Sequence, residues 1–226
     1  MTKKMAVLHT SFVFINVEPV FQKLYEEILP DIQIVDFVDS DVLAAVKRAG
    51  GIKNSHVQRM VHLALAAESA GVDLIFSACS SLGPTMDVAR QLVDIPIVKI
   101  DDAMTQKAAD EGNTVGVMAT VPTTLQPTID LIQGSAQKIG KKVETKPYLC
   151  EGAFDVLMSG NRERHDQMVL EGARRLAAEV DLIVLAQASM SRLAPALSQD
   201  VGKDVLSSPR LAMNYVRSLF DQMPVA

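Results

Sequence analysis

The 226 residues, 48% hydrophobic and 22% charged, have the composition of a soluble globular chain with a sizeable core, enough for one large domain or two small ones. No apolar run approaches the ~18 residues of a membrane span, and a net charge of −5 argues against a general nucleic-acid surface. Two cysteines, Cys79 and Cys150, cannot form a disulfide framework, and the four histidines have no metal-ligand spacing.

The start, MTKKMAVLHTSFVF, sets two lysines before a short apolar run that lacks a small-residue cleavage site. It reads as a first buried strand, MAVLHT (5–10), and predicts a cytoplasmic protein with reduced thiols. A helix is expected from Glu18 to Leu29, with Pro19 tolerated in its first turn. IQIVDF (32–37) is a second strand, and Ser55 followed by Gln58 is a capping box for a helix that Gly71 stops. Strands follow at 72–78 and 95–100, with a helix from Thr85 between them. Then come TVGVMAT (114–120), a helix from Thr123, a strand near 143–147, a helix near 162–178 and a strand at 180–186. A strand near 204–206 and a helix near 209–222 close the chain. Strands of continuous apolar character alternating with helices indicate an α/β fold with parallel sheets covered on both faces. No phosphate loop or GxGxxG pattern is present, so no nucleotide cofactor is expected.

DLIFSACSSLG (73–83) returns 108 positions later as DLIVLAQASMS (181–191). At the same offset Met60-Val61 matches Met168-Val169 and PIVK (96–99) falls opposite DVLS (204–207); at 110, MAVLHT resembles VGVMAT. The order and near-constant offset predict two pseudo-symmetric, flavodoxin-like open parallel-sheet halves, 1–100 and 101–206. The C-terminal helix, 207–226, is expected to join the first half, because it follows the last strand as 101–111 follows strand 95–100. Ligands of such sheets sit beyond the carboxyl ends of the strands. Cys79, Gln187, Thr10 and Thr120 stand at such ends, and halves facing each other about a pseudo-twofold axis would bring them to one cleft. The adjoining turns add Ser11, Ser80, Ser81, Thr123, Ala188 and Ser189, whose N–H groups and hydroxyls suit a carboxylate or simply form and cap the turns.

Four stretches, SACSSLG around Cys79, GVMAT at 116–120, LAQASM at 185–190 and LSSPR at 206–210, make the chain resemble the aspartate/glutamate racemase superfamily. That superfamily includes hydantoin racemases, maleate isomerases and arylmalonate decarboxylases. The resemblance covers nearly the whole chain and implies a small carboxylate substrate, no cofactor, no metal and a homo-oligomer. In those racemases a cysteine at each of two strand ends flanks the α-carbon, one thiolate removing its proton and the opposite thiol returning one. Thiols suit the task because both protonation states are accessible near neutral pH. Cys79 maps onto the first cysteine, and Gln187 stands where the second would be.

Glutamine cannot exchange a proton at neutral pH, so the pattern predicts single-thiol chemistry in which Gln187 donates or accepts hydrogen bonds. The leading reading is an isomerase or racemase-like enzyme acting at the α-carbon of a small carboxylic acid. A decarboxylase or other lyase is the alternative, and a non-catalytic carboxylate-binding protein the third. His9, beside Thr10, is a further candidate for the missing acid. The bland readings are that Cys79 is core, that Gln187 caps a turn and that Cys150 is structural. His56, His62 and His165 read as structural or solvated. Asp36, Asp39 and Asp41 read as a polar loop, since DFVDSD lacks the spacing of a calcium loop.

Overall fold

The computed structural model describes residues 2–16 and 20–224. It divides into two compact units, Met1–Ile100 with Ala212–Ala226, and Asp101–Leu211. The first contains β1 (Lys4–His9), α1 (Val13–Asn16), α2 (Val20–Ile28), β2 (Gln33–Val38), α3 (Val42–Arg48) and α4 (Asn54–Ser69). After β3 (Leu74–Ser77) a 3-10 turn, Ser80–Leu82, leads into α5 (Gly83–Ala89) and β4 (Ile97–Lys99). The second contains α6 (Asp102–Glu111), β5 (Thr114–Ala119), a 3-10 turn at Pro122–Thr124, α7 (Leu125–Lys138), β6 (Glu144–Leu149), α8 (Ala153–Met158) and α9 (Arg162–Ala177). β7 (Leu182–Leu185), a 3-10 segment at Ala188–Leu193, α10 (Ala194–Val201) and β8 (Val205–Ser207) complete its sheet, and α11 (Ser208–Gln222) ends the chain.

All strand pairings are parallel, and the two four-stranded sheets have the same order, β2-β1-β3-β4 and β6-β5-β7-β8. This is the α/β architecture that the alternating pattern predicts. Each sheet is covered on both faces. In the first unit Phe21 and Leu24 of α2 and Ala212, Met213, Val216 and Phe220 of α11 pack with Met5, Val7 and Phe76. Met60 and Ala64 of α4 and Met86 of α5 pack on the other face with Ala6, Leu8 and Ile75. In the second, α9 and α10 cover the side of Met118, Ile183 and Leu185, while α6 and α7 cover that of Val115, Val117 and Val184.

The repeated aspartate has a structural cause. The Lys4 N–H donates to Asp73 Oδ2 at 2.7 Å while the Asp73 N–H donates to the Lys4 carbonyl at 2.9 Å. The Thr114 N–H donates to Asp181 Oδ2 at 2.9 Å while the Asp181 N–H donates to the Thr114 carbonyl at 2.8 Å. In each sheet this exchange fixes where the two central strands begin, and hence that their far ends finish level.

Several local expectations are corrected. The helix start at Glu18 and Pro19 lies outside the described residues. Helix α4 starts at Asn54, so Ser55 falls inside its first turn and cannot cap it; instead the Lys53 N–H donates to His56 Nδ1 at 3.0 Å. Helices α3, α8 and α10 are too short to show a 3.6-residue period in the sequence. Pro147 stands within β6, which tolerates it as an edge strand.

Candidate active site

In the first unit the pairing of Leu8 with Ser77 is followed by a bond from the Ala78 N–H to the Leu8 carbonyl, 3.1 Å. Two residues further, Thr10 and Cys79 leave the sheet on adjacent strands. Cys79 has extended backbone (φ −124°, ψ 107°) and opens the 3-10 turn, its carbonyl accepting from the Leu82 N–H at 3.3 Å. The residue is half-buried and packs against the layer that holds Leu8, Leu82 and Met86. Thr10 is buried, Ser11 half-buried, and Ser80 and Ser81 are exposed. These five residues thus belong to two neighbouring strand-end turns of one unit.

His9 belongs elsewhere. Its partner Asp36 and the alternation of β1 place the ring on the face of Met5 and Val7, under α2, whereas Cys79 packs with the layer on the other face. The ring is 3% exposed, with Nε2 3.0 Å from Asp36 Oδ1. Burial lowers its pKa, opposed by the Asp36 carboxylate, so the neutral ring donates from Nε2–H. A buried histidine committed to a carboxylate in this way is poorly placed as the missing acid.

The equivalent turns of the second unit hold Gln187, again with extended backbone (φ −143°, ψ 134°) and at the start of a 3-10 segment. Its Oε1 accepts from the Thr120 N–H at 2.7 Å, the Thr120 hydroxyl at 3.1 Å and the Val121 N–H at 3.2 Å. Three donors converge on one amide oxygen, which fixes the side chain and ties the end of β7 to the end of β5. The remaining polar end of Gln187 is its NH2 group, a donor only. Thr120 is buried, Thr123 and Ser189 are exposed, and the side chain of Ala188 lies outside the described residues.

A clamp that the sequence did not reveal holds the turn after Gln187. Arg192 donates from Nη1 to Asp166 Oδ2 at 2.7 Å and from Nη2 to Asp166 Oδ1 at 2.5 Å. His165, wholly buried, lies 2.8 Å from the same carboxylate through Nδ1. Although Asp166 is partly desolvated, its partners Arg192 and His165 hold the carboxyl below the usual range. The separation of 26 positions from Asp166 to Arg192 leaves no local signal of the contact; NRERHD reads only as a helix start, which Asn161 provides by accepting from the Arg164 N–H at 3.1 Å.

The other candidates resolve in the same terms. Cys150 is buried, and burial pushes its thiol up to about 11. Asp39 and Asp41 are held by Arg59, with Arg48 also on Asp41, so the aspartates after β2 are paired with cations. Among the described residues no group of three or more acidic, histidine or cysteine side chains could hold a metal ion. No described helix is long and apolar enough to cross a membrane.

A family model described as Asp/Glu/Hydantoin racemase matches residues 22–216. Comparison with curated protein sequences gives no match. Among solved structures, an aspartate racemase homologue from Pyrococcus horikoshii has a TM-score of 0.72 at 18% identity, covering 98% of this chain and 100% of its own. Allantoin racemase from Klebsiella pneumoniae has a TM-score of 0.71 at 19% identity, with 97% and 88% covered. Glutamate racemase from Francisella tularensis, solved with D-glutamate, has a TM-score of 0.67 at 17% identity, with 98% and 82% covered. At these identities the structural likeness speaks for the fold.

Proposed function

The chain belongs to the Asp/Glu/hydantoin racemase family, and on that basis we propose that it is a cofactor-independent enzyme of the isomerase or racemase-like class, acting at the α-carbon of a small carboxylic acid through the single thiol of Cys79. Gln187, at the place of the family's second cysteine, contributes hydrogen bonds and no proton. The observation that carries this reading is the state of Gln187: its oxygen is taken up by Thr120 and Val121, at the position equivalent to Cys79. An amide braced in this way keeps the shape of the strand-end turn while removing one of the two proton carriers that symmetric racemisation requires. The Cys79 thiolate takes the α-proton, the electron pair moves into the carboxylate as an enolate, and water or the substrate supplies the proton that forms the isomer while the thiol gives its own proton up to solvent. For the carboxylate, Thr10, Ser11, Ser80 and Ser81 offer N–H and hydroxyl donors in the turns of the first unit, and Thr120, Thr123, Ala188 and Ser189 offer the same in the equivalent turns of the second.

The same observation favours a second reading, decarboxylation. When CO2 leaves an activated carboxylate, the carbanion needs one proton from one acid, and a lone thiol suffices. Both readings predict a stereochemical consequence. Wild type should form its product with Cys79 as the one protein proton carrier, so that α-inversion is slow, and Gln187→Cys, which supplies a second thiol, should speed it. Chiral chromatography of the product checks this. Racemisation by the wild type that Gln187→Cys does not speed would overturn the single-thiol reading, and a Gln187→Cys protein that binds but never inverts would count against the equivalence of the two positions.

A further inference from the structure

The two units share one plan but differ in how they hold the turn that follows Cys79 or Gln187. At the offset of 108 positions, α4 (Asn54–Ser69) and α9 (Arg162–Ala177) coincide residue for residue. In the first unit the 3-10 turn after Cys79 lasts three residues, Ser80–Leu82, and passes into α5 at Gly83. In the second it lasts six, Ala188–Leu193, before α10 begins at Ala194. Runs of 3-10 helix beyond about four residues are uncommon, because their hydrogen bonds are poorly aligned. The longer segment is held from outside. Met190, wholly buried, anchors it in the core, and Arg192 grips both oxygens of Asp166 on α9. At the same offset the first unit has Gln58 for Asp166 and Pro84 for Arg192, a pair that cannot form a salt bridge. The clamp is thus confined to the unit that has the amide. It is also kept at a cost. A carboxylate bound by a guanidinium can only accept, so His165 donates to it from Nδ1–H, and its Nε2 is left a bare acceptor. That nitrogen is buried without a hydrogen-bond partner, which is destabilising.

We propose that Asp166 is a positioning residue for the candidate site: through Arg192 it keeps the 188–193 segment in the form in which Gln187 Oε1 rests on Thr120 and Val121. Gln187 opens the segment and Arg192 stands near its end, so the amide fixes one end and the ion pair the other. Release of Arg192 frees the segment to take the shorter path into a helix that its counterpart takes at Gly83. The start of the segment moves with it, and the amide that must reach back to residues 120 and 121 loses its three donors. The NH2 group of Gln187, the end that can donate to a ligand, loses its direction at the same time. This rests on the proposed function only in treating the turn as part of a site; the coupling of clamp to amide does not depend on it.

The test is amide hydrogen exchange, followed by NMR without substrate, on the whole chain as wild type, Asp166→Asn, Asp166→Glu and Arg192→Lys. Asp166→Asn removes the charge and keeps the shape, while Arg192→Lys keeps the charge and loses the two-pronged contact. Thr120 and Val121 report on the amide, because their N–H groups donate to Gln187 Oε1. Ala186, whose N–H donates to the Met118 carbonyl, reports on the pairing of β5 and β7 just before the turns. The proposal predicts exchange at Thr120 and Val121 about tenfold faster or more in Asp166→Asn and Arg192→Lys, with Ala186 unchanged. Asp166→Glu, which keeps a carboxylate, should exchange closer to wild type than Asp166→Asn does. Arg192→Lys leaves His165 paired with Asp166, so it decides the matter should Asp166→Asn not fold. Unchanged rates at Thr120 and Val121 would overturn the proposal. A rise shared by Ala186 would overturn it too, by marking the clamp as general support for the sheet. Turnover of a small carboxylic acid by a wild type whose Thr120 and Val121 ignore the clamp would defeat the proposal and leave the proposed function standing. A localised rise in a protein that turns over no amino acid, hydroxy acid, hydantoin or malonate would uphold the clamp and defeat that function.

Discussion

Two side chains at equivalent strand ends, Cys79 and Gln187, differ in what they can do with a proton, and their surroundings differ accordingly. Gln187 is locked by three donors, while Cys79 is half-buried at the mouth of its turn. Cys150 supplies the contrast: its thiol, raised to about 11 by burial, stays protonated at neutral pH. His9 makes a residue-scale prediction about pH. Burial lowers its pKa below the ordinary 6.5, so between those two values the unfolded chain binds a proton that the folded chain refuses. This histidine's contribution is therefore fully present above pH 6.5 and declines as pH falls through that value toward the lower folded one. His9→Gln, whose amide can still donate to Asp36 without titrating, should flatten the decline in urea melts taken from pH 7.5 to 5. An unchanged slope would mean that the ring takes up its proton equally in the folded and the unfolded chain.

At the scale of elements, the strands were legible because parallel strands covered on both faces are apolar without interruption, and the repeated DLI words announced which two were equivalent. The short helices α3, α8 and α10 were not legible, because one or two turns contain too few residues to display a period. Nor was the clamp from Asp166 to Arg192, which joins residues on different elements. The brace on Gln187 was half legible. Thr120 and Gln187 both follow central strands, but which end of the amide would face Thr120 depends on the amides of residues 120 and 121 pointing at one spot. The close approach of α9 to its sheet was likewise unseen until packing made it necessary. A Cβ on Gly172 would lie 2.7 Å from Tyr148 Cε1 and 3.0 Å from Cys150 Sγ, so the helix sits against β6 at a distance only glycine permits. Gly172→Ala should cost about 1–3 kcal/mol, the usual range for overpacking. Pairing it with Cys150→Ala should recover part of that cost, as read by the midpoints of denaturant curves. Equal midpoints for wild type and Gly172→Ala would show that Tyr148 moves aside freely.

For the whole molecule, the two units repeat one plan down to the strand order and the aspartate that aligns each sheet's central strands, so the fold needs no chemistry to explain its symmetry. The asymmetry lies in one thiol and one amide. The chain is a member of the Asp/Glu/hydantoin racemase family, and on the proposed reading the amide at position 187 leaves it one proton carrier. The central claim is that Cys79 is that carrier. The most direct measurement is proton NMR in D2O on a panel of amino acids, hydroxy acids, hydantoins, maleate and substituted malonates. Wild type, Cys79→Ser and Cys150→Ala would be run in parallel. The account predicts α-deuteration, isomerisation or CO2 loss for at least one compound with wild type and Cys150→Ala, and a fall of about 100-fold or more with Cys79→Ser. Turnover that survives Cys79→Ser at the wild-type rate would contradict it.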